Sequence, residues 1–150
     1  IMGACAFALL IYLTGLYADH SVNGFLLGVV EHKMQAPTMQ LFFRAILCNW
    51  LVCLAFFIPM GLKNEVAKLF CMMLFVFCFF ISGYEHSIAN MCTFAIALVV
   101  DHPSTINFAG VIHNLIPVTI GNLIGGSVFM AMMYYYVNKP FMNDPEHEEQ

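Results

Sequence analysis

The sequence predicts an all-α membrane protein of four apolar spans, one of them broken at its middle. Hydrophobic residues make up 61% of the chain and charged residues 9%, too few charges to cover a surface facing water. Four stretches reach the roughly 20 apolar residues that a hydrocarbon core requires. The third carries an ionisable pair, Glu85-His86, directly behind Ser82-Gly83-Tyr84, and such a pair costs several kcal/mol in lipid unless it faces protein or water. A functional site at membrane depth is the reading this supports.

The spans run from Ile1 to Ala18, Leu41 to Met60, Leu69 to Val100 and Leu115 to Val137. The third is too long for one helix, so it divides into a half helix to about Ile81, an irregular turn, and a second half from about His86. Broken spans leave free backbone groups at mid-membrane, tolerated only where protein or a cavity surrounds them. Residues 1–140 form one transmembrane domain. Residues 141–150 form an acidic tail whose Asp144, Glu146, Glu148 and Glu149 account for most of the net charge of −4. Without a basic patch, nucleic acid is excluded as a partner and the lipid bilayer is the expected surrounding.

The chain opens at Ile1 inside an apolar run, without the basic start of a signal peptide, and this leads us to expect further spans upstream. A short internal match, Ile1-Met2-Gly3-Ala4-Cys5-Ala6-Phe7 on Leu123-Ile124-Gly125-Gly126-Ser127-Val128-Phe129, fits the repeats common in transporters. Orientation follows from the lysines. Lys63 and Lys68 after the second span and Lys139 after the fourth fall on one side, which the positive-inside rule makes cytoplasmic together with the C-terminus. The segment Asp19 to Gln40, with Lys33, is expected as a loop on the opposite side, beside Asp101 to Asn114.

Other chemistries find little support. Cys5, Cys48, Cys53, Cys71, Cys78 and Cys92 lie in apolar spans without a C-x-x-C pair, and read as small buried hydrophobes. The histidines show no H-x-x-H or H-x-x-x-H spacing, so no metal and no cofactor are expected. A membrane enzyme would need clustered ligands or a paired nucleophile and base, and neither is present.

Three segments carry a resemblance: Gly83-Tyr84-Glu85-His86-Ser87-Ile88-Ala89-Asn90-Met91, the run Ala45 to Ala55 containing Cys48-Asn49-Trp50, and His113-Asn114-Leu115-Ile116-Pro117-Val118-Thr119-Ile120-Gly121-Asn122. In this order they resemble the formate/nitrite transporter family over Ile1 to Val137, the third to sixth spans. Ala36-Pro37, Arg44, Tyr84 and the segment Ala109 to Asn114 look most like its nitrite channels. The resemblance implies an aquaporin-like bundle of six spans, truncated here to about four, in a cell-membrane homopentamer with one pore per protomer. It further implies transport of small weak-acid anions, nitrite or formate first, with hydrosulfide or short-chain carboxylates as alternatives.

By the same resemblance His86 is the central pore histidine, Asn49 and Asn122 are polar groups near it, Phe79 belongs to a hydrophobic constriction, Val52 lines another, and Lys33 marks the outer vestibule. Residue spacing is compatible with this. Asn49, Val52 and Phe56 stand at i, i+3 and i+7, Phe75 and Phe79 at i and i+4, and His86 and Asn90 repeat that interval on the second half helix. Lys33 would draw anions to the mouth, free N–H groups of the second half helix would favour an anion, and the constrictions would strip water. Desolvation favours the neutral acid, its proton coming from water or His86, with Glu85 orienting the imidazole; strictly anionic passage past a charged His86 is the competing route. Plainer roles stand beside these. The asparagines can be interhelical ties, Phe75 and Phe79 packing, Lys33 an ordinary loop lysine and Arg44 an interfacial anchor, while Gly121, Gly125 and Gly126 allow close helix contact. A non-transporting scaffold subunit is the alternative of another class.

Overall fold

A computed structural model describes residues 2–18 and 20–142; the predicted acidic segment from Asn143 onward lies outside them. The helices are α1 (Met2–Leu13), α2 (His20–Gln35), α3 (Thr38–Met60), α4 (Glu65–Ile81), α5 (Ser87–Val99), α6 (Phe108–Ile124) and α7 (Met133–Met142), with a π-helical stretch Gly125–Met132 joining the last two. No strand occurs among the described residues. Two helical runs, Thr38–Met60 with 23 residues and Phe108–Lys139 with 32, are each long and apolar enough to cross a bilayer.

Local chemistry sets the boundaries. Pro37 stands at the start of α3, where its missing N–H costs nothing. Asn64 caps α4, its Oδ1 accepting from the N–H groups of Val66 at 2.9 Å and Ala67 at 3.1 Å. Asn107 caps α6 through Gly110 N–H at 2.9 Å. The break in the third span falls where the sequence places it, between Ile81 and Ser87. Gly83 carries φ of +63°, a left-handed turn past the end of α4 that other L-residues avoid. Gly83→Ala should therefore cost about 1–2 kcal/mol, read as a lowered thermal midpoint of the detergent-solubilised oligomer, although open space surrounds the added methyl.

The segment expected as a loop is instead the amphipathic helix α2. Leu26, Val30 and Met34 recur at i, i+4 and i+8; Val30 and Met34 join Phe94, Ala97 and Ile106 in one buried cluster, and the half-buried Leu26 packs against it. Its polar residues, Asn23, Glu31, His32, Lys33 and Gln35, hide that stripe from any reading by average hydropathy. A second cluster, Ala36, Leu41, Ala45 and Val118, joins α3 to α6, and a third, Ala8, Ile96 and Val100, joins α1 to α5.

The α3–α6 crossing is close enough to demand glycine. A methyl at Gly121 would meet the carbonyl of Phe42 and the Ala45 side chain, and one at Gly125 would meet the Ile46 backbone. α4 buries none of its side chains within the chain and presents Val66, Phe70, Met73 and Ile81 outward, as a helix bounded by lipid or by another apolar surface does.

Candidate functional site

The break between α4 and α5 is the most polar place in the interior. Glu85 is 3% exposed, Asn90 2% and Asn114 wholly buried, and their side chains close a ring with Lys33. Glu85 Oε1 accepts from Lys33 Nζ at 2.8 Å. Its Oε2 accepts from Asn90 Nδ2 at 2.6 Å, and the same amide donates to Asn114 Oδ1 at 2.9 Å. Asn114 Nδ2 then returns to the backbone carbonyl of Lys33 at 2.9 Å. That carbonyl belongs to the last turn of α2, where no intrahelical donor reaches it. A buried carboxylate is tolerable only when paired and fully hydrogen-bonded, and this ring supplies both, tying α2, the break, α5 and α6 into one unit.

Asn122 makes a second tie. Its Nδ2 donates to the carbonyls of Ala45 at 2.8 Å and Glu85 at 3.0 Å, while its Oδ1 accepts from Ser87 N–H at 2.9 Å. The residues before and after His86 are thus bonded to one amide, which anchors them to α3 and α6. Asn49 Nδ2 in turn donates to the backbone carbonyl of Asn122 at 2.6 Å. Both asparagines are committed to holding helices together in the way the plainer reading describes.

His86 stands at the cap of α5, half-buried, with Nδ1 accepting from Ala89 N–H at a long 3.4 Å. A nitrogen that accepts there leaves Nε2 to carry the proton of the neutral ring. The Phe79 ring lies 6.1 Å from the imidazole centroid, tilted by 33°, and stacks on Phe80 at 4.4 Å. Val52 is half-buried on α3 and outside both polar networks.

The eight residues singled out by sequence thus divide. Glu85, Asn90 and Lys33 meet in the ring; Asn49 and Asn122 meet in the tie; His86 and Phe79 bring their rings to 6.1 Å of each other beside the break; Val52 stands apart from them. Two expectations change in content. Lys33 is an ion-paired residue rather than an isolated cation, and the Ser87 and Ala89 amides at the start of α5 are already engaged. Asn114 went unassigned although it lies in one of the segments that carry the resemblance; its place at the head of the apolar run Leu115 to Val118 was the available signal.

Comparison with known proteins agrees with this architecture. The family model "Formate/nitrite transporter" matches residues 1–136. "Uncharacterized transporter YwcJ" of Bacillus subtilis (strain 168) is 64% identical over 138 residues, covering 92% of this chain and 54% of that protein. "Nitrite transporter NirC" of Escherichia coli (strain K12) is 46% identical over 119 residues, covering 79% of this chain and 43% of that protein. Among solved structures, an "FNT family ion channel" superimposes with a TM-score of 0.82 at 38% identity, over 90% of this chain and 54% of that one. A "Pentameric formate channel with formate bound" gives 0.81 at 28% identity, over 90% and 60%. The chain spans about half the length of the curated relatives it matches. With its broken span, its buried Glu85 ring and a family model matched almost from end to end, this chain belongs to the formate/nitrite transporter family.

Proposed function

We propose that this chain forms the histidine-bearing wall of a membrane pore for small monovalent weak-acid anions, nitrite or formate, in a homopentamer. One observation carries the reading: a half-buried imidazole beside an aromatic ring, at a helix break whose own polar groups are satisfied by the surrounding protein. The similar proteins point the same way, one named a nitrite transporter and one a pentameric formate channel with formate bound.

In this reading Phe79 narrows the passage and strips water from the solute. Desolvation raises the free energy of the anion far more than that of the neutral acid. The Nε2–H of His86 then offers a hydrogen bond to whichever form arrives, and a proton reaches the anion from that ring or from water. Glu85 acts through the fold: its carboxylate bonds Lys33 and Asn90, and its carbonyl bonds Asn122, so it fixes the backbone from which the imidazole projects. The work is passage, with no bond of the solute's carbon or nitrogen made or broken. The Lys63, Lys68 and Lys139 side is cytoplasmic, which carries the C-terminus with it.

Competition flux on the intact protein in liposomes, with formate, nitrite and hydrosulfide at two pH values, tests this. Mutually competing formate and nitrite uptake is expected, and an assembled oligomer with no flux would leave the scaffold reading in its place. Phe79→Ala should raise leak of larger anions such as lactate relative to formate. Unchanged discrimination between the two would remove Phe79 from the constriction.

A further inference from the structure

A cavity of about 620 Å³ lies where α1 and α5 end, away from Lys63 and Lys68, and Tyr12, Gly15, Tyr17, Asn23, Val99 and Asp101 line it. α1 and α5 pack side by side through Ala8, Ile96 and Val100. Their last residues, Leu13 and Val99, both reach the lining, so two helix C-termini converge there. Each end carries the partial negative charge of carbonyls without intrahelical partners, and neither has a basic residue in its last turn. Asp101 adds a full charge two residues past α5, where the helix end repels it. Among the described residues it forms no ion pair. Asn23 reaches over from α2 and donates its Nδ2 to the Asp101 carbonyl at 3.2 Å, while its own buried Oδ1 receives no donor. The cavity thus gathers acceptors, negative charge and two tyrosine rings, and its described lining holds no lysine, arginine or histidine.

We propose that this cavity is a binding site for a primary ammonium group. Such a group brings one positive charge and three N–H donors, which is what the lining lacks. The Asp101 carboxylate takes a charge-assisted hydrogen bond, Asn23 Oδ1 gains a donor, and the Tyr12 and Tyr17 rings offer their faces to the cation. A bare divalent metal ion is served by several charged oxygens at once, and the described lining carries one carboxylate. A quaternary ammonium has the charge without the donors. Lying at the ends of two apolar helices, the cavity sits at the depth of lipid headgroups, so an ethanolamine headgroup and a dissolved small amine both present the required chemistry. None of these residues belongs to the His86 passage, and the site stands whether or not the chain conducts anions.

A ligand of the folded state raises the thermal midpoint of the intact, purified oligomer. Ethanolamine or ammonium chloride should do so saturably, by about 3–5 °C at roughly ten times the half-saturating concentration, and choline chloride or sodium chloride at equal ionic strength should not. Asp101→Asn keeps the shape and removes the charge. Its ligand-free midpoint should equal or exceed that of the wild type, because the repulsion at the end of α5 is gone, while its half-saturating ethanolamine concentration rises about tenfold. Native mass spectrometry after exposure to mixed phosphatidylethanolamine and phosphatidylcholine separates the two sources. Phosphatidylethanolamine retained by the wild type and lost from Asp101→Asn identifies the headgroup as ligand; an ethanolamine response without retained lipid identifies the dissolved amine. Choline or sodium acting as well as ethanolamine would overturn the proposal, since N–H donors would then be irrelevant. So would wild type and Asp101→Asn responding alike, or a wild type indifferent to ammonium, ethanolamine and phosphatidylethanolamine.

Discussion

Glu85→Ala should destabilise the assembled protein by about 3–5 kcal/mol, the cost of stranding one partner of a buried pair. Lys33 is left with 21% of its side chain exposed and no carboxylate at 2.8 Å, and Asn90 loses the acceptor at 2.6 Å on which one of its two amide hydrogens depends. Asn114 then holds Asn90 alone. Removing both charges is a different matter. Lys33→Met with Glu85→Gln keeps an acceptor for Asn90 and places no lone ion in the interior, so the double variant should recover much of what Glu85→Ala loses. Thermal midpoints of the purified oligomer for Glu85→Ala, for Lys33→Met and Glu85→Gln singly, and for those two combined check this. Additive losses would mean that the ring is not an energetic unit.

Asn122→Leu should produce the second large effect, and transport should suffer more than stability. Hydrogen bonds between intact membrane helices average only about 0.6 kcal/mol, because the separated helices find other partners. The Asn122 bonds are of another kind. Ser87 N–H and Glu85 C=O flank a break and have no helical partner to fall back on, so each costs about 1–3 kcal/mol when orphaned in the interior. The segment from Glu85 to Ser87 would relax to recover partners and carry His86 with it. Formate uptake is expected to fall at least tenfold, with the oligomer still eluting as wild type in size-exclusion chromatography. Wild-type flux from Asn122→Leu would show that the imidazole is positioned without this tie.

Much of the fold was legible because the bilayer imposes its own arithmetic. The long apolar runs became α3 and the continuous helix through α6, and the break appeared at Ser82-Gly83 because a left-handed turn and a buried ionisable pair are both visible as residue types. α2 was missed for an equally physical reason. Its apolar stripe is one face of a helix whose other face is polar, and averaging over a window cancels the two. At the site, residue types and spacing pointed to Glu85, His86 and Asn90, and the family resemblance added Asn122, but neither showed what they bond. Lys33 and Glu85 are fifty-two positions apart, and no local spacing reveals that a lysine near the end of α2 and a glutamate at the helix break are partners.

The central claim is that the side chain at position 86 faces a passage used by small anions. Its most direct test is cysteine accessibility: His86→Cys in a background without other cysteines, reconstituted in liposomes and exposed to a charged, membrane-impermeant thiol reagent. The account predicts modification of that thiol, slowed by millimolar nitrite or formate and unaffected by sulfate. A thiol that never reacts, or that reacts at the same rate with and without the small anions, would contradict it.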